Sequence, residues 1–215
     1  MKQIILLVLS IVGRLFYPFR YVWKKTKMPR EVLLSQVSKY DFMSPVPKFV
    51  YFTPPLYLIH SKYVLLGEKV RISEYSTISA WPLNKNENKP LITIGNNVRI
   101  GAFAHITSMN GIIIEDNVLL GKFVTISDNS HGSNDYSDLE LPPKERQLSS
   151  KGMVIIKKNV WVGDKATILP GVCIGEYSII GANTVVVKSV PPYSIVCGNP
   201  GRVVKTLKIV IDEES

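Results

Sequence analysis

Between Ile156 and Val190 aliphatic side chains recur every six positions, at Ile156, Val162, Ile168, Ile174, Ile180 and Val186. Neither an α-helix nor a β-strand repeats at six. Four residues after each comes a second compact side chain, Val160, Ala166, Val172, Ser178, Thr184 and Val190, and glycine recurs at Gly163, Gly175 and Gly181. This spacing predicts a chain that takes three short flat sides per turn, about eighteen residues to a coil, with one inward aliphatic per side and one small residue per corner. Stacked coils would lie roughly 4.8 Å apart, as neighbouring strands do, and the Ile/Val column would become a continuous buried ladder. The fold class is therefore all-β, a parallel β-helix of triangular section.

The same template extends upstream with interruptions. Leu66-Gly67, Val70, Ile72, Ser76 and Ile78 fit it, Trp81 to Pro90 break it, and Ile94-Gly95, Ile100-Gly101 and Ile106 resume it. Two extra residues around Asn110-Gly111 precede Ile114, Leu120-Gly121 and Ile126, after which a polar stretch containing Pro142-Pro143 interrupts again. The organisation that follows is a basic amphipathic segment over 1–30, a proline-rich extended strap over 31–63, a β-helix over 64–206 with loops thrown out at 81–90 and 128–152, and a tail over 207–215. Pro45, Pro47, Pro54 and Pro55 carry the strap assignment, because they exclude a long regular element. A loop as long as 128–152 on a rigid scaffold is expected to be mobile and functional.

Charge and composition refine this picture. With 215 residues, 46% of them hydrophobic, the chain suits one elongated domain with appendages. The formal charge is +9, yet residues 1–30 alone hold seven Lys/Arg and no acid, so the basicity is an N-terminal property. No glycine-aromatic or zinc pattern accompanies it, which argues against nucleic acid. Ile4 to Val12 is apolar but for Ser10, too short to span a bilayer, and no small-residue cleavage site follows it. Phe16, Tyr17, Phe19, Tyr21 and Trp23, interleaved with cations, suit either an anionic membrane surface or packing on a neighbouring subunit. Cys173 and Cys197 lack metal or redox spacing and read as packing residues of a reducing compartment. A cytoplasmic protein, peripheral at the inner face of the membrane, is the expectation.

Five motifs then stand in order: Ile114-Glu115-Asp116-Asn117-Val118, Ser127-Asp128-Asn129-Ser130-His131-Gly132, Asn159-Val160-Trp161-Val162-Gly163, Ile168-Leu169-Pro170-Gly171-Val172, and Gly198-Asn199-Pro200-Gly201-Arg202-Val203-Val204-Lys205. Together they resemble the left-handed β-helix, hexapeptide-repeat acyltransferases. Within these the chain is most similar to the sugar O-acetyltransferases of polysaccharide, capsule and lipopolysaccharide biosynthesis, and more distantly to the maltose and galactoside acetyltransferases. The resemblance covers roughly residues 64–206. It implies a left-handed winding, which the period alone does not show and which runs against the general right-handed rule for parallel crossovers. It also implies acetyl-CoA as co-substrate, a homotrimer with sites completed by neighbours, a saccharide acceptor and no metal.

Acetyl transfer to a hydroxyl needs a base working near neutral pH, and histidine is the natural one. Of His60, His105 and His131, the resemblance assigns the base to His131, while His60 and His105 read as residues without a task. Asp128, three residues earlier, either orients the imidazole or starts a turn. Asn110 and Asn129 are carried as acceptor contacts. Trp161, outward before Val162-Gly163, is placed by the resemblance against an adjacent subunit's site, with plain intersubunit packing as the alternative. Gly163, Asp164, Gly181 and Ala182 offer a narrow edge for the pantetheine arm, and Lys188, Arg202 and Lys205 offer cations for the phosphates, although exposed cations are commonly just solvated. Asp164 departs from the serine of the galactoside enzymes, and Gly201 from a frequent alanine or cysteine. Zinc chemistry of the carbonic anhydrase kind is disfavoured, because no histidine lies within five residues of His131. The expected activity is direct, acetyl-CoA-dependent O-acetylation of a sugar hydroxyl with His131 as general base. An amino-sugar N-acetyltransferase and a non-catalytic trimeric scaffold are the alternatives.

Overall fold

The computed structural model describes residues 40–83, 89–133 and 135–207, all within one compact unit. The segment 1–30, residues 31–39 of the expected strap, 84–88 of the first loop and 208–215 of the tail lie outside the described residues.

Three strands make each coil. The first coil is β1 (Tyr51–Phe52), β2 (Leu56–Ile59) and β3 (Val64–Leu66); the second β4 (Arg71–Ile72), β5 (Ser76–Ala80) and β6 (Ile92–Ile94); the third β7 (Arg99–Ile100), β8 (His105–Ser108) and β9 (Ile112–Ile114). In the fourth coil, β10 (Leu119–Leu120) and β11 (Thr125–Ser127) are followed by an excursion with β12 (Ser130–His131), the helical turn α1 (Tyr136–Leu139) and β13 (Leu148–Ser149) before β14 (Val154–Ile156) closes it. The fifth coil is β15 (Trp161–Val162), β16 (Thr167–Ile168) and β17 (Cys173–Ile174), and β18 (Ile179–Ile180) and β19 (Val185–Val186) begin the last. β20 (Ser194–Cys197) adds to the first sheet, and β21 (Arg202–Thr206) turns back against it as an antiparallel end strand.

Strands of successive coils pair in parallel and in register, so the inward aliphatics form columns. Phe52, Ile72, Ile100, Leu120, Val162, Ile180 and Val196 line the first sheet. Leu58, Ile78, Ile106, Ile126, Ile168 and Val186 line the second. Leu66, Ile94, Ile114, Ile156 and Ile174 line the third. Nearly all are fully buried, which makes the ladder the hydrophobic core, each full-length side chain worth about 1.5–3 kcal/mol of burial. The small corner residues Val160, Ala166, Val172, Ser178 and Thr184 are buried as the repeat predicts. At Gly163 the reason for glycine is explicit: a Cβ would stand 2.7 Å from the backbone N of Ala182 on the next coil.

Two features differ from the sequence expectation. The coil begins at Tyr51, inside the stretch read as a strap. Pro54-Pro55 occupy the corner between β1 and β2, where the missing N–H groups cost no ladder bond, and Tyr51 and Thr53 just before them still donate to the Val70 and Ile72 carbonyls at 2.9 Å. The excursion 128–152 is also built rather than merely long. β12 and β13 form an antiparallel ribbon, and the Asp138 carboxylate gathers its tip by accepting from the Ser133 amide and hydroxyl. Those bonds, with a smaller contribution from the Arg146 charge, hold the Asp138 carboxyl below the usual carboxylate range.

Candidate active site

The ribbon overhangs the outward face of the second sheet and encloses a groove of about 490 Å³. Its floor is set by strand alternation: with Ile78, Ile106 and Ile126 inward, Thr77, His105 and Thr107 must face out. Trp81 borders the groove where the second coil leaves the template, and Asn129, His131 and Arg146 come from the ribbon. His131 is exposed on β12, its backbone paired with Leu148 across the ribbon. Gly132 next to it donates to the Gln147 carbonyl at 2.7 Å, which fixes the strand carrying the histidine.

Of the two asparagines expected to contact an acceptor, Asn129 lies in this groove, its amide donating to the Thr107 carbonyl at 3.3 Å and to Asp128 at 3.0 Å. Asn110 does not; it borders a separate, smaller pocket of about 100 Å³ with Leu83 and Met109. His105, read from the sequence as idle, lines the same groove as His131. The available signal was register: an outward residue one coil before β11 falls on the floor beneath the ribbon. His60 supports the rim, with Nδ1 2.7 Å from the Ala80 carbonyl and its ring edge-on to Trp81 at 5.4 Å.

Asp128 has a different task from orienting His131. Its side chain continues the inward alternation after Ile126 and is completely buried. There Oδ2 accepts from Ser108 Oγ at 2.7 Å and from the amides of Asn110 and Gly111 at 2.8 and 2.6 Å, while Oδ1 accepts from the Met109 amide at 2.8 Å and from Asn129. Among the described residues it makes no hydrogen bond to His131, so the base-orienter pair is corrected to a turn-holding carboxylate. The physical cause is the two-residue insertion at Asn110-Gly111, which points three consecutive amides into the coil interior, and such donors require an acceptor.

The remaining predicted residues lie elsewhere. Trp161 is 51% exposed on the outer face of the first sheet, in register between Leu119 and Ile179. Gly163, Asp164, Gly181 and Ala182 follow at the corner from the first to the second sheet, where Asp164 accepts the Lys122 amide at 2.8 Å. This edge is narrow for the reason given at Gly163, and Asp164 and Ala182 are exposed along it. Arg202 and Lys205 are exposed on β21, and Lys188 is exposed after β19. None of the three is in a salt bridge with another described residue. A slender ligand with anionic groups fits that combination. Trp161 and His131 stand on faces of different sheets. A larger cleft of about 590 Å³ lies on the third sheet, but its lysines are paired, Lys157 with Glu115 at 2.8 Å and Lys158 with Glu176 at 3.3 Å, which raises both lysine pKa values.

Repeat and coil together define a β-helix built on a six-residue repeat, with the groove on its second sheet. The family model described as bacterial transferase hexapeptide (six repeats) matches residues 153–188, and that described as hexapeptide repeat of succinyl-transferase matches residues 91–127. WbbJ of Escherichia coli K12, named as an O-acetyl transferase of lipopolysaccharide biosynthesis, is 35% identical over 119 residues, covering 54% of this chain and 60% of WbbJ. The galactoside O-acetyltransferase of the same organism is 33% identical over 124 residues, 53% of this chain and 56% of its own length. The chain thus spans somewhat under two thirds of these relatives. Among solved structures, AntD, an N-acyltransferase from Bacillus cereus in complex with dTDP and 3-hydroxybutyryl-CoA, superimposes with a TM-score of 0.67 at 24% identity over 81% of this chain and 88% of AntD. That likeness carries the fold, the left-handed parallel β-helix.

Proposed function

We propose that the protein is an acetyl-CoA-dependent O-acetyltransferase acting on a sugar hydroxyl, with His131 as the general base. The observation that supports this reading is the position of His131, held on a ribbon strand at an open groove large enough for a saccharide, in a coil whose relatives are named as O-acetyltransferases of lipopolysaccharide biosynthesis and of galactosides. The acceptor hydroxyl gives its proton to the imidazole as its oxygen bonds to the thioester carbonyl carbon. The carbon–sulfur bond then breaks, and the proton leaves with the coenzyme A thiolate as thiol. Asn129, which lines the groove, would contact the acceptor, and the edge Gly163, Asp164, Gly181 and Ala182, with Lys188, Arg202 and Lys205, would hold the donor. Cys173 and Cys197 do not line the groove, so transfer is direct.

Trp161 and His131 lie on different sheets, so a site that uses both requires two copies, as in a closed trimer. Mixing subunits tests this. His131→Ala alone should lower turnover by about 10²–10⁴, the usual contribution of a positioned base, and Trp161→Ala should weaken donor use. Co-assembled one to one, the two variants should recover about one quarter of the sites, those pairing an intact histidine with a neighbour's intact tryptophan. Wild-type turnover by His131→Ala would reject the base, and absence of recovery in mixed assemblies would reject the shared site.

A further inference from the structure

The groove beside His131 has a charge bias that acetyl transfer itself does not require. Lys144, Arg146, His105 and His131 all line it, and among the described residues no carboxylate does. Arg146 is set in place beforehand: Nε donates to the Leu141 carbonyl at 2.9 Å and Nη2 to the Leu139 carbonyl at 3.4 Å. Its stem crosses Gly132 so closely that a Cβ there would come within 2.9 Å of Arg146 Cδ, and Gly132 takes the left-handed φ of +82° that favours glycine. The residue after the proposed base is therefore shaped around this arginine. Nη1 makes no hydrogen bond among the described residues, nor does the Lys144 ammonium. Asp138, the acid whose ionisation feels Arg146, is bonded to Ser133 and is not part of the lining. A guanidinium already fixed loses little freedom when it pairs with an oxyanion. Trp81, braced by His60, adds an aromatic wall.

We infer that the acceptor is an anionic saccharide, its carboxylate or phosphate held by Arg146 and Lys144 while a hydroxyl reaches His131. This rests on the acetyltransferase reading for the word acceptor, but the binding site stands on the groove alone. The test is therefore calorimetric and uses no acyl donor: a neutral hexose, the matching hexuronate and the hexose 1-phosphate are titrated into the full chain. At least one anionic form should bind about tenfold more tightly than the neutral sugar, with a preference that shrinks as salt rises. Preference for the hexuronate assigns a ring carboxylate, and preference for the 1-phosphate assigns a phosphate linkage. Arg146→Gln should bring the anionic-to-neutral ratio towards one, and Arg146→Lys should restore part of it. Because Arg146 also bonds the ribbon, Lys144→Gln, which removes no bond within the ribbon, repeats the test, and its ratio should fall several-fold. Equal affinity for the three sugars, or a preference that survives Arg146→Gln and Lys144→Gln combined in one chain, overturns the inference. Because no donor is present, anion-selective binding supports the inference whatever becomes of the acetyltransferase reading, which the His131→Ala turnover tests separately.

Discussion

Replacing Asp128 separates two accounts of the residue, because they predict losses in different quantities. In Asp128→Asn one oxygen becomes a donor. Its least harmful placement is at Oδ1, where it faces the Met109 amide and the Asn129 side chain. Asn129 is half-buried and can turn away, but the Met109 amide is buried and left unpaired, which costs about 1–3 kcal/mol. The bonds from Ser108, Asn110 and Gly111 also lose their ionised acceptor, so a total near 3 kcal/mol is expected. Asp128→Ala orphans three consecutive amides; Ser108 Oγ retains the Leu91 carbonyl at 3.1 Å, and the total should be about 4 kcal/mol. Urea unfolding at one fixed protein concentration reads this as a lower midpoint at unchanged slope. Turnover at low temperature, where the variants remain folded, should fall far less than in His131→Ala. An Asp128→Asn protein of wild-type stability whose turnover alone collapsed would refute the turn-holding account and restore the orienter pair.

Other expectations concern the scaffold and its appendages. Gly163→Ala should destabilise the coil by about 2 kcal/mol, since its Cβ would meet the backbone of Ala182 and Ile180 with nothing flexible to yield, and a urea midpoint equal to wild type would contradict this. For Asp138 the folded pKa lies below the ordinary carboxyl value of 3.8, so its contribution to the ribbon is present above that value and lost as pH falls through the lower folded one. Proteolytic cleavage between Gly132 and Gln147 should accordingly rise only in strong acid, and Asp138→Asn should show the faster cleavage already at neutral pH. Deleting residues 1–30, which carry seven cations, should abolish binding to anionic vesicles while leaving acetyl transfer intact; undiminished vesicle binding would count against that segment.

The repeat was legible because one physical demand, an inward aliphatic at every sixth residue, is met again and again without regard to what surrounds it. Ile156 to Val186 needed no tertiary information. The first coil was not legible for the opposite reason: Pro54 and Pro55 are locally incompatible with a ladder, and only their placement at a corner makes them harmless. Asp128 was misread because nearness in sequence to His131 is a poor guide when successive residues of a strand face opposite ways. His131 faces the groove, and Asp128 lies under it. His105 was set aside because its importance comes from the ribbon passing over it from the next coil, a contact that no local pattern records. The side chains at left-handed corners were likewise unreadable. Tyr75, Phe103 and Phe123 take φ of 58°, 59° and 58° and stack at 4.9 and 4.7 Å, where a sequence rule would ask for glycine or asparagine.

The departures from the template share one location, and this explains why the candidate site is where it is. From the first sheet to the second, and from the third to the first, the inward residues stay six apart in every coil, as in Ile100 to Ile106 and Ile114 to Leu120. Only the corner from the second sheet to the third is relaxed, between Leu58 and Leu66, Ile78 and Ile94, Ile106 and Ile114, and Ile126 and Ile156. The strict corners are strict because each packs directly on the coils above and below, so a residue added at one would have to be added at all. At the relaxed corner four successive coils are lengthened together, and the additions support one another. Asp128 of the fourth coil holds the extra turn of the third, His60 of the first braces Trp81 of the second, and the ribbon of the fourth covers His105 of the third. The groove is the space these additions enclose. It follows that trimming the ribbon alone would not merely remove His131 but would uncover the floor, whereas changes at the two strict corners would act on stability first and on the site only through it.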